Sequence, residues 1–351
     1  MTDVLILLIS LVLILFAAEL FTNGIEWMGR KLGLGEGAVG SVLAAVGTAL
    51  PETLIPIIAI IFSTGESSTA IGIGAILGAP FMLSTLAMFV TGVAVLLVAR
   101  RRGTSDEMRV DTAVLAHDMG YFGIAYAIAI GAAFLPLEPV WLKWIVAAVL
   151  IGMYVWYVKG HFEADPDVDA EDLAPLRFHP IDRAHHRMRP AVPRLRIVSF
   201  QVAVALSLIV LGAWFFVGAI DHLARQFDID SVLLALVIAP IATELPEKLN
   251  SVIWISHGKP TLAMGNITGA MVFQSCIPTV VALLFASSTW VVAEGSYVAF
   301  ASAGIAFLSS AAIFIPMARR SSLTGRRLLV GGVFYLVYLA LVVVVVSGTI
   351  G

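Results

Sequence analysis

The residues best suited to chemistry in this sequence are two glutamates that each follow a proline, in the pairs Pro51-Glu52 and Pro246-Glu247. Both pairs lie inside long apolar segments, where an ionised carboxylate is costly and is usually retained for a function. A proline within a helix also leaves one carbonyl oxygen without its usual N–H donor. Each pair therefore predicts a carboxylate beside available carbonyl oxygens, which together form a donor set for a cation. The alternative is a tolerated kink with an acid that reaches the membrane surface, but Glu52 lies about 15 residues into its apolar segment.

The two pairs belong to an internal repeat. Residues 24–62 align with residues 219–257 at a constant offset of 195, and Gly74–Ala79 matches Gly265–Ala270 after a four-residue gap. Both copies share the sequence Thr-x-Leu-Pro-Glu, with flanking charged residues in register. Self-similarity of this kind indicates that one structural unit occurs twice.

The composition places both copies in a membrane. Of 351 residues, 60% are apolar and only 13% are charged, and the mean hydropathy is +0.98. A water-soluble protein carries about 25% charged residues. The lipid bilayer is therefore a predicted partner, whereas the net charge of −3 gives no indication of a nucleic-acid partner. The single cysteine, Cys276, excludes an internal disulfide.

The apolar segments predict the number of transmembrane helices. A helix needs about 20 apolar residues to span the hydrocarbon core. We predict ten spans, near residues 3–27, 37–62, 69–99, 112–135, 140–158, 197–219, 231–256, 261–286, 291–316 and 328–348. Because five spans per half is an odd number, the two halves must cross the membrane in opposite orientations. The predicted fold class is an all-α polytopic membrane protein in which ten transmembrane helices form two inverted five-helix repeats, the architecture of secondary transporters.

A long polar segment divides the chain. We predict a first inverted repeat in residues 1–159 (helices 1–5), a cytoplasmic linker loop in residues 160–196 and a second inverted repeat in residues 197–351 (helices 6–10). The linker is acidic and then basic, and its alternating aspartates resemble part of a calcium-binding loop. Because the glycine and the terminal glutamate of such a loop are missing, we interpret the segment as a solvated linker rather than a regulatory cation site.

Basic residues predict how the helices are oriented. Basic clusters at Arg30-Lys31, Arg100–Arg102, Arg183–Arg196, Lys259 and Arg319–Arg327 all fall on one side if both termini lie outside. Lysine and arginine accumulate in cytoplasmic loops. We therefore predict a multi-pass protein of the inner (plasma) membrane of the cell, with both termini outside.

With these motifs and spans, the sequence resembles the cation/calcium exchanger superfamily, and in particular the prokaryotic sodium/calcium exchangers. The two alpha repeats of that family read approximately G-T-S-L-P-E and then G-N-x-x-G-S-N, and residues 47–86 and 242–281 stand in their place here. The resemblance implies the exchanger fold and alternating-access antiport of cations, with calcium, sodium or protons as transported substrates and no covalent cofactor. It implies a transporter and not an enzyme, in agreement with the absence of H-E-x-x-H and G-x-S-x-G motifs.

The resemblance also assigns the residues of the site one at a time. The repeat glutamates and threonines fall on Glu52, Glu247, Thr48 and Thr243, and the second repeat adds the oxygen donors Glu244 and Gln274. The asparagine of the second G-N pair falls on Asn266. Side-chain oxygens that the family provides are missing at Ala49, Ala79, Leu83 and Ala270. The first half is therefore expected to offer fewer side-chain ligands than the second.

Lys248 departs from the family pattern and leaves alternatives open. It stands four residues after Glu244, so the two side chains can meet on one face of a helix. Lys248 either occupies the position of a coupling cation and takes part in proton exchange, or it only compensates the charge of Glu244. For the whole protein the alternatives are a proton-coupled cation antiporter with altered selectivity and a non-transporting, ion-sensing membrane protein. The pair His117-Asp118 in the fourth span is either a proton relay or a satisfied interfacial pair.

Overall fold

The computed structural model describes residues 2–31, 46, 49–62, 66–163, 173–181, 193–227, 245–256, 258, 260–293 and 296–349. Within these ranges the regular structure is helical apart from one pair of two-residue strands. Eight continuous helical segments among the described residues are long and apolar enough to cross a membrane. The prediction of an all-α polytopic membrane protein is therefore confirmed.

The first half of the chain contributes six of the described helices. They are α1 (Thr2–Lys31), α2 (Leu50–Ile57), α3 (Glu66–Met82), α4 (Met88–Arg102), α5 (Thr112–Gly131) and α6 (Trp141–Glu163), with strand β1 (Glu107–Met108) between α4 and α5. A π-helical turn, Ile58–Phe62, continues α2. A second π-helical turn, Leu83–Ala87, joins α3 and α4 into one span.

The second half follows a similar order. Its elements are α7 (Leu195–Phe227), α8 (Leu245–Ser256), α9 (Pro260–Phe285), α10 (Tyr297–Arg320), strand β2 (Leu323–Thr324), the short α11 (Gly325–Leu328) and α12 (Val330–Thr349). The short helices α2 and α8 stand at the ends of the second and seventh predicted spans, and the earlier parts of those two spans lie outside the described residues. The other eight predicted spans correspond to the eight long helices.

Helices α1 and α7, which the repeat aligns with each other, pack antiparallel. The Oδ1 atom of Asp3 near the start of α1 lies 3.5 Å from the Nδ1 atom of His222 near the end of α7. Near the other end, the side-chain amide of Gln201 donates to Asn23 Oδ1 at 3.0 Å. The helices approach closely at Gly212, where a Cβ atom would lie only 2.7 Å from a side-chain carbon of Ile14. Antiparallel packing of repeat-related helices agrees with inverted orientations of the two halves.

Contacts between loops show which helix ends share one side of the bundle. Strand β1 pairs antiparallel with β2, which joins the loop after α4 to the loop before α12. Arg102 at the end of α4 donates to the carbonyl of Ser256 at the end of α8, at 2.6 Å. The backbone N–H of Asp111 before α5 donates to the Thr261 hydroxyl at the start of α9, at 3.3 Å. The loops after α4, after α8 and before α12 therefore lie together, as the predicted orientation requires.

Residues 173–181, in the middle of the predicted linker, are anchored to the bundle. The indole N–H of Trp27 donates to the carbonyl of Ala174 at 2.9 Å, and the backbone N–H of Phe178 donates to Gln201 Oε1 at 2.8 Å. Side chains of α1 and α7 thus satisfy backbone groups that a solvated loop would leave to water. Residues 173–181 therefore contact the bundle, while the role of residues 160–196 as a linker between the halves stays a prediction.

Candidate cation site

Glu52 is buried in the first turn of α2, with 3% of its surface exposed. The partial positive charge at the N-terminus of a helix favours a carboxylate at this position. The next residue closes the turn, because the N–H and the hydroxyl of Thr53 both donate to the Ala49 carbonyl, at 3.1 and 2.8 Å. The predicted glutamate is therefore buried at the helix end where a negative charge is best stabilised.

The proline that modifies this helix is Pro56 rather than Pro51. Because α2 begins at Leu50, Pro51 lies in its first turn, where a missing N–H breaks no hydrogen bond within the helix. Pro56 lies inside α2 and has no N–H to donate to the carbonyl of Glu52, four residues earlier. A π-helical turn follows directly at residues 58–62. Pro56, and not Pro51, is therefore the proline that removes a hydrogen bond within α2.

Helix α9 carries the two amide side chains of the predicted site, Asn266 and Gln274, each 1% exposed. Neither amide atom of Gln274 has a hydrogen-bond partner among the described residues. A buried amide without a partner costs about 1–3 kcal/mol. Pro278, four residues further along α9, also has no N–H for the backbone carbonyl of Gln274. Gln274 therefore offers oxygen donors that suit a cation.

Helix α8 carries a buried ammonium group. Lys248 is 5% exposed. One turn later, the hydroxyl of Ser251 donates to the carbonyl of Ala263 on α9 at 3.2 Å, which ties the two helices together. A lysine at such a position is expensive without a function or a compensating charge. Both alternatives for Lys248 are thus compatible with its burial.

Part of the predicted site lies beyond what the structure describes. Thr48, Thr243 and Glu244 fall outside the described residues. Pro246 and Glu247 belong to α8, but only their backbone is described. The assignment of these five residues to the cation site stays a prediction.

The helices that carry the described site residues meet at α9. In the part of the chain that is described, α9 packs against α2, α3 and α8. Ala49 before α2 and Ala270 on α9 belong to the same buried apolar cluster. Glu52 of the first half therefore lies on a helix in direct contact with the helix that carries Gln274 of the second half.

The positions that lack the family's oxygen donors are fully buried. Their side chains are each 0% exposed, at Ala49, Ala79, Leu83 and Ala270. Methyl and isobutyl groups at these positions offer no ligand to a hard cation. Three of these positions, Ala49, Ala79 and Leu83, lie in the first half and Ala270 lies in the second. The expected shortage of side-chain ligands in the first half stays a prediction.

Two buried hydroxyls that the sequence pattern did not indicate follow Leu83. Ser84 and Thr85 are 0% exposed and donate to the carbonyl of Phe81, at 2.9 and 2.6 Å. Both lie in the π-helical turn between α3 and α4, which packs against α9. The sequence carried no signal for this turn, because Pro80 affects the helical hydrogen bond to the carbonyl of Ile76, which lies before the turn. Since each hydroxyl here acts as a donor, its oxygen keeps lone pairs for another partner.

The protein is a polytopic helical bundle built from two related halves. A buried carboxylate, a buried ammonium and a buried amide lie on helices that meet. These features are typical of a secondary transport protein for ions. The sequence profile described as sodium/calcium exchanger protein matches residues 2–160 and 198–347. The chain belongs to the sodium/calcium exchanger family. This membership confirms the predicted resemblance, and it supports cation antiport, because the family is one of transporters and not of enzymes.

Two known proteins are similar in sequence to this chain. CaxA of Alkalimonas amylolytica, a candidate antiporter, is 25% identical over 270 residues, which cover 76% of this chain and 76% of CaxA. The inner membrane protein YrbG of Escherichia coli (strain K12) is 23% identical over 272 residues, which cover 78% of this chain and 76% of YrbG.

Two solved structures share the fold. The crystal structure of the H+/Ca2+ exchanger CAX matches with a TM-score of 0.73 at 15% identity, over 97% of this chain and 82% of that chain. The sodium-calcium exchanger NCX_Mj matches with a TM-score of 0.60 at 18% identity, over 96% of this chain and 97% of that chain. At these identities the matches establish the exchanger fold.

We expect Gln274→Leu to stabilise the protein and to weaken cation binding. Leucine removes a buried amide that has no hydrogen-bond partner among the described residues, so the free energy of unfolding should rise by about 1 kcal/mol. Loss of an oxygen donor should reduce calcium affinity about tenfold. Thermal unfolding in detergent and calcium titration of the purified protein measure the two effects.

Thr279→Val is the matched control for this prediction. The Thr279 hydroxyl lies on the same helix, is 0% exposed and also has no hydrogen-bond partner in the described part of the chain. Its replacement should stabilise the protein without a change in calcium affinity. If Gln274→Leu also keeps the wild-type calcium affinity, Gln274 has a structural role only and is not a cation ligand.

Proposed function

We propose that the chain is a secondary antiporter that binds calcium near the bilayer midplane between Glu52 and Glu247 and exchanges it by alternating access. The observation that carries the proposal is the buried Glu52 on α2, a helix in contact with the helix of Gln274, whose amide has no described hydrogen-bond partner. In a family of cation exchangers, a buried carboxylate and a buried amide on adjoining helices are best explained as ligands of a cation.

The names of related proteins support calcium as the cargo. The two structural neighbours are named as an H+/Ca2+ exchanger and a sodium-calcium exchanger, and CaxA is named as a candidate antiporter. Calcium is common to both structural neighbours, whereas the coupling ion differs between them. We therefore assign calcium as the cargo, and the names alone do not identify the coupling ion.

The charge of the predicted site fits one divalent ion. Glu52, Glu244 and Glu247 contribute −3 and Lys248 contributes +1, which gives a formal charge of −2. One calcium ion neutralises this charge, as do two monovalent ions. Because an uncompensated charge at this depth is costly, we propose that the site takes up protons when the cation leaves. Proton coupling then contributes to the exchange.

The orientation follows from the loops that carry the basic residues. The loops after α4 and before α12 lie on one side of the bundle, and both are rich in arginine. By the positive-inside rule we propose that this side faces the cytoplasm of a cell whose inner membrane holds the protein, with both termini outside.

Calcium flux into proteoliposomes tests the proposed function. The purified chain is reconstituted with a calcium-sensitive dye inside the vesicles, and a proton gradient or a sodium gradient is imposed separately. Calcium entry should follow at least one of these gradients and stop when an ionophore dissipates it. The gradient that drives entry identifies the coupling ion.

The absence of calcium flux under both gradients would overturn antiport. That result would favour a non-transporting, ion-sensing protein, which is the alternative supported by the missing oxygen donors in the first half. Calcium binding to the purified protein then separates an ion sensor, which binds calcium, from a protein with no calcium site.

Lys248→Leu should change the charge that moves with each calcium ion by about one elementary charge. If Lys248 occupies the place of a coupling cation, its removal opens that place to an additional ion or proton. Electrical currents from reconstituted membranes, divided by the calcium flux, measure the charge per cycle. An unchanged ratio would assign Lys248 to charge compensation alone.

Lys143→Met is the matched control for Lys248→Leu. Lys143 is also buried, at 0% exposure, but its ammonium donates to the carbonyls of Ser287 and Trp290 in the loop after α9, at 2.6 and 2.9 Å. Its replacement should lower the thermal stability, because it leaves two carbonyls without this donor. The charge moved per calcium ion should stay at the wild-type value.

A further inference from the structure

A buried carboxylate on α5, outside the proposed cation site, links three helices. Asp118 is 0% exposed. Its Oδ1 atom accepts a hydrogen bond from the Tyr157 hydroxyl at 3.0 Å and lies 3.1 Å from the Nε2 atom of His161, and both partners belong to α6. Its Oδ2 atom accepts a hydrogen bond from the Thr268 hydroxyl of α9 at 2.6 Å. Groups from two neighbouring helices thus hold this carboxylate in place.

Asp118 also belongs to a group of nitrogen and oxygen donors. One ligand atom from each of His117, Asp118 and His161 lies within 4.8 Å of the other two. Two imidazoles and one carboxylate are typical ligands of Zn²⁺ and related first-row metals, whereas calcium prefers oxygen ligands alone. The chemistry of the donors therefore distinguishes this group from the proposed calcium site.

We propose that His117, Asp118 and His161 form a binding site for a divalent transition metal of the Zn²⁺ type. These three residues are the histidine–aspartate site. It lies between α5 and α6 and is separate from the residues that are predicted to hold the transported cation. Three protein ligands with one position left to water are a known arrangement for zinc.

The spacing of the histidine–aspartate site needs little change to accept a metal. At metal–ligand lengths of about 2.0–2.2 Å, neighbouring ligands of a tetrahedral ion lie roughly 3.3–3.5 Å apart. The ligand atoms of Asp118 and His161 are already 3.1 Å apart. Only His117 has to move towards them. Its side chain is exposed and borders a cavity of about 500 Å³ that is also lined by Tyr121 and Trp156, so it has room to rotate.

The surroundings of the site resemble those of known metal sites. Metal-binding carboxylates and imidazoles are usually oriented by outer hydrogen bonds and packing. Here the hydroxyls of Tyr157 and Thr268 orient the carboxylate of Asp118. The ring of Tyr157 also packs edge-on against that of His161, with centroids 4.7 Å apart. The structural alternative, a carboxylate that only links helices, does not require His117 beside the pair.

A metal at the histidine–aspartate site would act on the helix that carries the proposed calcium ligands. It would join α5 to α6 directly and to α9 through the hydrogen bond between Asp118 and Thr268. Thr268 lies two residues after Asn266 on α9. Because alternating access requires helices to move relative to one another, bound metal should slow calcium exchange. This last consequence rests on the proposed function, whereas metal binding itself does not.

Metal titration of the full-length protein tests the proposal. The tag-free chain in detergent is titrated with Zn²⁺ by calorimetry, and with Co²⁺, whose visible absorption becomes intense in a tetrahedral site. We expect one equivalent of metal to bind and the Co²⁺ spectrum to be tetrahedral. His117→Gln and His161→Gln should each weaken Zn²⁺ binding at least about tenfold. His117→Gln is the decisive variant, because an exposed side chain is replaced without a threat to the fold.

Two further variants place the metal. His222→Gln changes an exposed histidine on α7, away from the site, and should bind Zn²⁺ as the wild type does. Glu52→Gln should also keep this Zn²⁺ binding. The proposal is overturned if the wild type binds no Zn²⁺, or if His117→Gln and His161→Gln bind it with wild-type affinity. Loss of binding in Glu52→Gln alone would place the metal in the cation pathway and would equally overturn it.

Inhibition of calcium flux is measured separately. Zn²⁺ should slow calcium exchange in proteoliposomes of the wild type, and His117→Gln should need at least about tenfold more Zn²⁺ for the same effect. If the chain transports no calcium under any gradient, the proposed function is wrong. The metal titration still shows whether the histidine–aspartate site binds Zn²⁺.

Discussion

Glu52→Gln is expected to reduce calcium exchange in proteoliposomes about 100-fold or more. Glutamine has nearly the same size as glutamate but carries no charge, so the change removes one buried anionic ligand and little volume. Breaking a buried charge pair by removal of one partner costs about 3–5 kcal/mol, and each 1.4 kcal/mol corresponds to a factor of ten in affinity. Calcium titration of the purified variant should show the same loss, and Glu247→Gln should behave alike.

Glu19→Gln is the control for this substitution. Glu19 is also a carboxylate on a membrane-spanning helix, but its side chain is 62% exposed and pairs with Arg177 of the anchored linker. Its neutralisation should leave calcium exchange within about twofold of the wild type, because exposed ion pairs contribute little. Wild-type flux and calcium affinity in Glu52→Gln would show that the cation site does not include Glu52.

Calcium affinity should fall steeply as the pH is lowered from 8 to 5.5. Calcium requires ionised carboxylates, and protons compete for the same oxygens. For each proton that calcium must displace, affinity changes tenfold per pH unit, or about 300-fold over this interval. Calcium affinity falls at low pH because the carboxylates are protonated, and it rises again at high pH because they are ionised. Calorimetric titration at a series of pH values measures the slope.

The pH slope in variants identifies the groups that exchange protons. Glu52→Gln should bind calcium weakly and with a shallower slope, because one competing carboxylate is gone. Glu19→Gln should keep the wild-type slope, since its carboxylate is exposed. A wild-type affinity that stays flat over the whole interval would exclude proton competition at the site and would favour sodium as the coupling ion.

The sequence by itself determined the class of protein and the position of the repeat. Apolar runs of about 20 residues predict membrane spans because the hydrocarbon core accepts no unpaired backbone groups. Eight of the ten predicted spans correspond to the eight long helices that are described. The repeated Pro-Glu pairs marked Glu52 as a buried carboxylate, and it is 3% exposed. These properties are local, since each depends on one stretch of chain and its solvent.

Helix boundaries were harder to derive than helix positions. The sequence placed the free carbonyl beside Pro51, but α2 begins at Leu50, and Pro56 is the proline inside the helix. The π-helical turn Leu83–Ala87 contains the buried hydroxyls of Ser84 and Thr85, which the family pattern did not suggest. The hydrogen-bond pattern around a proline depends on where the helix starts, and neighbouring helices influence that choice.

Only the tertiary structure decided which distant side chains meet. Asp118 bonds to His161, 43 residues away, and to Thr268, 150 residues away, and no periodicity in the sequence indicates either contact. The anchoring of residues 173–181 by Trp27 and Gln201 is likewise a contact between remote segments. Helical periodicity fixes which face of one helix a residue occupies, but the packing of the whole bundle fixes which helix that face meets.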